Sequence, residues 1–68
     1  MTLRDFIRVL DRSSFYELYI DLDGESKTYR SNEHIILGDW RDKEISTIST
    51  VIGDNGIHII IICKGEGV

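Results

Sequence analysis

The chain has no proline, and it has a single cysteine and a single tryptophan among 68 residues. Without proline, no position is pinned by a fixed φ. One thiol, Cys63, excludes an internal disulfide, and without an export signal it fits a reducing compartment. Long apolar runs are missing as well. The longest, Ile59 to Cys63, falls far short of the length needed to cross a bilayer. The opening Met1-Thr2-Leu3-Arg4-Asp5 lacks the apolar stretch of a signal peptide. A cytoplasmic protein without a membrane span is therefore expected. Positive charge is also short: 8 basic against 12 acidic residues give a net charge of −4. That balance disfavours indiscriminate binding to nucleic acid or anionic membrane.

Chemical signatures are absent too. There is no G-x-G-x-x-G, no P-loop and no nucleophile elbow around any serine. His34, His58 and Cys63 are the only imidazoles and thiol. A structural zinc site needs four such ligands and a catalytic one three. His58 and Cys63 also have opposite parity on one strand, which sends them to opposite faces. Asp21-Leu22-Asp23-Gly24 opens like a calcium loop, but the glycine comes too early. Arg30 stands where the bidentate glutamate belongs, so the segment reads as a turn. A chain of this size also has little room for an enzyme-sized pocket. The expectation is a non-enzymatic protein with no cofactor and no metal.

What is present is patterning. Thr2 with Asp5 three residues on has the spacing of a capping box. Leu3, Phe6, Ile7 and Leu10 follow at i, i+3, i+4 and i+7, which predicts an amphipathic helix over 2–10. Residues 15–20 alternate, with Leu18 and Ile20 facing one way and Phe15 and Tyr19 the other. The acid–glycine turn ending at Gly24 returns the chain into a polar strand over 25–30, whose Lys27 and Arg30 suit a sheet edge. A β-branched strand over 44–52 and an Ile-rich strand over 57–63 flank Gly53-Asp54-Asn55-Gly56, a hairpin signal. Between the strand pairs, 31–43 supports either a helical turn over 34–37 stopped by Gly38 or a short strand at Ile35-Ile36-Leu37. Residues 64–68 read as a frayed tail. The fold class is α+β: one domain, an N-terminal helix packed on a four-stranded antiparallel sheet in the order α-β-β-short element-β-β.

Two surfaces are candidates for function. The last strand is apolar on both faces, with Ile57, Ile59, Ile61 and Cys63 on one and Ile60 and Ile62 on the other. A strand of a one-sided sheet alternates with polar residues, so the second face calls for a cover. Either the Ile35-Ile36-Leu37 and Trp40 segment folds over it, or a second protein surface does, such as another copy of this chain. Self-association would also supply the staple that a chain burying only ~60% of its unfolded surface tends to need. The expected protein-binding or dimer face is Phe15, Tyr19, Trp40, Ile60 and Ile62. The alternative is a nucleic-acid face made by Arg4, Arg8 and Arg12, spaced i, i+4, i+8 along the helix. Asp5 and Asp11, each three residues from Arg8, are positioned to neutralise that stripe, and Arg12 suits the helix C-terminus.

With its opening Met1-Thr2-Leu3-Arg4-Asp5-Phe6-Ile7, an acid–glycine turn after the first strand and a closing pair of Ile-rich strands, the chain resembles a loose group. These are very short proteins of Gram-positive bacteria, their phages and mobile elements. The resemblance carries no catalytic residues. It implies a setting in which tiny acidic proteins act by binding a host or defence protein, anti-CRISPR-type inhibitors among them.

Overall fold

The capping box forms as its spacing implies. Asp5 N–H donates to Thr2 Oγ1 and Thr2 N–H donates to Asp5 Oδ2, both at 3.3 Å. They start α1, Leu3–Val9, in a computed structural model that describes residues 1–65. Leu3 is buried, while Phe6, Ile7 and Leu10 of the same stripe pack half-buried against the core. A second aspartate cap follows, with Asp11 Oδ1 accepting from Ser13 N–H at 2.9 Å at the head of a 3-10 turn, Arg12–Ser14. Four strands come next: β1 (Glu17–Leu22), β2 (Glu25–Arg30), β3 (Ile45–Gly53) and β4 (Gly56–Cys63). The β1–β2 turn is carried by Asp23 and Gly24 at φ of 51° and 83°, the paired positive angles of a two-residue hairpin. Of the expected tail, Lys64 is tied by its N–H to Glu44 O at 2.9 Å; positions 66–68 lie outside the described residues.

The sheet is mixed, which corrects the antiparallel expectation. Its order is β2-β1-β4-β3, with both hairpins antiparallel and β1 parallel to β4. The cause is where apolar surface has to go. A simple meander would place polar β2 in the centre and leave Ile-rich β4 at an edge. Putting β1 and β4 together gives the two most apolar strands two neighbours each, as strands buried in a sheet centre require. Parallel neighbours need a crossover of a dozen or so residues, and 31–44 supplies it.

That crossover is neither of the two structures expected for it. Residues 34–37 are irregular, and the turn forms later, as a 3-10 turn at Gly38–Asp42. Gly38, at φ 58°, opens this turn rather than stopping an earlier one. Side chains of β2 hold the segment: Tyr29 Oη donates to Ile36 O at 2.7 Å and Lys27 Nζ to Leu37 O at 3.3 Å. Lys27 Nζ also lies 4.8 Å from the Trp40 ring centroid. Farther on, Leu3 N–H donates to Lys43 O and Ile45 N–H to Met1 O, which ties the start of α1 to the start of β3.

The core lies on one side of the sheet. Its buried residues are Leu18, Ile20 and Leu22 from β1, Ile59, Ile61 and Cys63 from β4, with Leu3 and Phe15 laid over them. Each such side chain contributes roughly 1.5–3 kcal/mol on burial. Residues on β3 gain far less, because the helix and crossover stop short of it and its strand is exposed from Ser46 to Ile52. Ile61→Ala should therefore lower stability by about 3 kcal/mol. Ile52→Ala, at a site 84% exposed, should change it by less than about 0.5 kcal/mol. Denaturant titration in dilute solution checks both.

The two aspartate caps give the fold an acid dependence. The Thr2 backbone N–H first, and its side chain second, hold the Asp5 carboxyl below the usual aspartate range. The Ser13 backbone N–H and hydroxyl do the same for Asp11. Depressed folded values mean stability that is complete above the unfolded aspartate range, about pH 4, and is lost as pH falls through the folded values. Asp5→Asn should flatten the decline of stability on acidification; a decline as steep as wild type would contradict the assignment.

Candidate interaction surface

The side of the sheet away from the core is built in rungs running across all four strands. The register aligns Arg30–Glu17–His58–Val51, then Thr28–Tyr19–Ile60–Ser49, then Ser26–Asp21–Ile62–Thr47. The first rung is electrostatic. Glu17 Oε2 lies 3.6 Å from Arg30 Nε, and Glu17 Oε1 lies 3.4 Å from His58 Nδ1. Tyr16 flanks them, with the Arg30 guanidinium 4.7 Å from its ring centroid and the His58 ring 5.7 Å away. Glu17 thus ties β2 to β1 through Arg30 at one end, and β4 as well when His58 carries a proton, each pair contributing at most about 1 kcal/mol. His58 also fits closely over the hairpin: a Cβ on Gly53 would sit 2.9 Å from its Nε2.

The next two rungs carry the apolar side chains Tyr19, Ile60 and Ile62, with Asp21 beside Ile62 in the last. Tyr19 and Ile62 are 37% and 43% exposed, and Ile60 is half-buried between them. Threonines and serines of the outer strands border them. The choice between an internal cover and an open face is decided here. Ile35, Leu37 and Trp40 pack against the core, on the opposite side of the sheet, so that segment leaves the second face uncovered.

Of the expected patch, the structure brings together Tyr19, Ile60 and Ile62 and separates the other two. Phe15 is 5% exposed and belongs to the core. The chain bends at Tyr16, so strand alternation does not reach back to Phe15. Trp40 sits over Lys27, whose partner Ile20 faces the core. What sequence reasoning missed is β3. Ile48, Val51 and Ile52 are 43%, 51% and 84% exposed on this edge strand. The available signal was its run Ile45–Gly53, nine residues without a charge.

The other chemistries are placed as follows. A cleft of about 340 Å³ opens among Ser13, Ser14, Tyr16, Ser31 and Asn55, and no His, Cys, Asp, Glu, Lys or Arg lines it. Cys63 is buried, and burial, then the nearby Asp21 carboxylate, pushes its thiol up, away from the reactive thiolate. Among the described residues no three His, Cys, Asp or Glu side chains are grouped to hold a metal, and no helix is long and apolar enough to cross a membrane. Searches against protein-family models, curated proteins and solved structures gave no match.

The arginine stripe is divided among separate tasks. Arg4 Nη2 lies 3.6 Å from Asp42 Oδ1, and Arg12 Nη1 donates to Glu33 O at 2.7 Å and Ser31 O at 3.4 Å. The expected pairing of Arg8 with Asp5 or Asp11 does not form, because both carboxylates are taken up by caps. Arg8 is thus the one arginine of the stripe with no ion pair or hydrogen bond among the described residues. The chain should show no retention on duplex DNA or single-stranded RNA at low salt, and Arg8→Ala should change nothing. Salt-sensitive retention that weakens in Arg8→Ala would restore the nucleic-acid reading.

Proposed function

We propose that this chain is a non-catalytic protein-binding module whose contact surface is the open sheet face centred on Tyr19, Ile60 and Ile62. The observation that carries the reading is the uncovered pair of rungs, an aromatic and two isoleucines bordered by hydroxyls and the Asp21 carboxylate. Aromatic anchors with an apolar surround and a polar rim are the usual composition of an interface centre. The Glu17–Arg30–His58 rung at one end gives the face an orientation, since a partner meets charges of both signs on that side and the single Asp21 carboxylate among hydroxyls on the other. The resemblance to short proteins of phages and mobile elements supports an accessory or inhibitor role in the cytoplasm. A host or defence protein is then the partner, as for anti-CRISPR-type inhibitors.

The test is a Tyr19→Glu/Ile62→Glu variant. Both side chains lie on the face opposite the core, but a glutamate at 62 would stand across from Asp21, so Tyr19→Thr/Ile62→Thr serves in its place if thermal unfolding shows that the charged variant does not fold. Against a partner purified after capture by wild type, affinity should fall by about thirtyfold or more, the scale of losing central contacts. Unchanged affinity for that partner would overturn the proposal.

A further inference from the structure

The two edges of the sheet differ. At one, β2 carries Glu25, Lys27 and Arg30, and two of these reach neighbouring groups. Charges of this kind discourage a further strand from adding. At the other, β3 runs from Ile45 to Gly53 with no charge and no proline, and its single irregularity is a bulge between Ile45 and Thr47. Residues 47–53 are a regular, uncharged edge of ~24 Å at ~3.4 Å per residue.

The direction of its backbone groups follows from the ladder. Gly53 and Gly56 close a two-residue turn, the position of a hydrogen-bonded pair in such hairpins. Ile57, next along β4, turns its carbonyl the other way, accepting from Tyr16 N–H at 2.8 Å. Alternation then directs the N–H and C=O of Thr47, Ser49 and Val51 to β4, and those of Ile48, Thr50 and Ile52 outward. These three side chains lie on the core side of the sheet, beyond the reach of α1 and the crossover.

We propose that β3 pairs antiparallel with β3 of a second copy of this chain, with Thr50 on the two-fold axis. In that register Ile48 of one copy faces Ile52 of the other, twice, and Thr50 faces Thr50. Cross-strand pairs of β-branched residues on one face are favourable. Three features select a second copy over an unlike partner. The strand matches itself about Thr50, with isoleucine two positions away on each side. A two-fold axis sets like residues near like, and an uncharged strand does so without repulsion although the chain carries −4 overall. Seven paired residues with Ile48 and Ile52 of both copies make a small interface, of the size class that suits a weak, reversible dimer. Both sheets then continue as one of eight strands, and two copies of the Tyr19–Ile60–Ile62 face stand side by side.

Sedimentation of the full chain from micromolar to millimolar concentration tests this. Wild type should pass from monomer to dimer with a midpoint in the micromolar range. The amides of Ile48, Thr50 and Ile52 should exchange more slowly as concentration rises. Thr50→Pro removes an outward N–H while sparing the β4 ladder, a placement that edge strands tolerate, and should weaken the dimer by about tenfold or more. Ile52→Lys should do the same and decides the matter if Thr50→Pro does not fold. Tyr19→Glu/Ile62→Glu should dimerise like wild type, which separates this proposal from the protein-binding reading of the open face. A wild type that stays monomeric throughout, or a folded Ile52→Lys that dimerises as tightly as wild type, overturns it.

Discussion

The parallel contact between β1 and β4 is the constraint from which the rest of the architecture follows. Leu18 and Ile20 meet Ile59 and Ile61 there, and these four form the middle of the core. Once those strands are central, β2 and β3 become edges, and the chain must travel from one edge to the other between them. That journey over 31–44 is what brings Trp40, Leu37 and Ile35 across the core side. It also delivers Lys43 and Ile45 to the point where they hydrogen-bond with Leu3 and Met1, so the crossover anchors the helix as well as the sheet. Helix, crossover and sheet therefore share one small core, and among the described residues no segment lies over the other face.

Local structure was legible because its causes are local. The Thr2–Asp5 cap, the Leu3–Phe6–Ile7–Leu10 stripe and the Gly53–Gly56 hairpin depend on neighbours a few residues apart, and each forms where its pattern lies. By contrast, β1 starts later than residue 15 and takes in Asp21 and Leu22, which leaves only Asp23 and Gly24 to the first turn. Strand order is different, since no residue of β1 names β4 as its neighbour. A signal was present all the same. Isoleucines on both faces of β4 mark a strand with neighbours on each side, as much as a strand with a covered second face. The crossover resisted reading because its conformation is set by Tyr29 and Lys27 bonding to Ile36 and Leu37 carbonyls, contacts made only after the sheet exists.

The candidate site divides along the same line. Tyr19, Ile60 and Ile62 were legible as one patch because strand parity alone puts them on one face, and adjacency of β1 and β4 brings them into neighbouring rungs. Phe15 was lost to a bend at Tyr16 and Trp40 to the side chosen by the crossover, both matters of tertiary path. The exposure of β3 was illegible for a further reason. Its β-branched residues are those of a well-packed strand, and only the short reach of a seven-residue helix leaves them uncovered.

That short reach links the two proposed surfaces. A longer helix, or a second one, would cover Ile48 and Ile52 and finish the core over all four strands. Here the cover ends above β1 and β4, so the β3 end of the sheet presents apolar side chains on the core side and unpaired backbone at its edge together. An edge strand with both properties and no charge invites any extended chain, and natural sheets suppress this with lysine, proline or strong bulges. β2 uses the first of these through Lys27, whereas β3 uses none between Thr47 and Gly53. Leaving one edge unguarded while guarding the other is consistent with pairing at β3 being part of the working state. A small core that covers only one side of one half of the sheet then gains a second half from a copy of itself, and the open face of each copy stays available to a different partner.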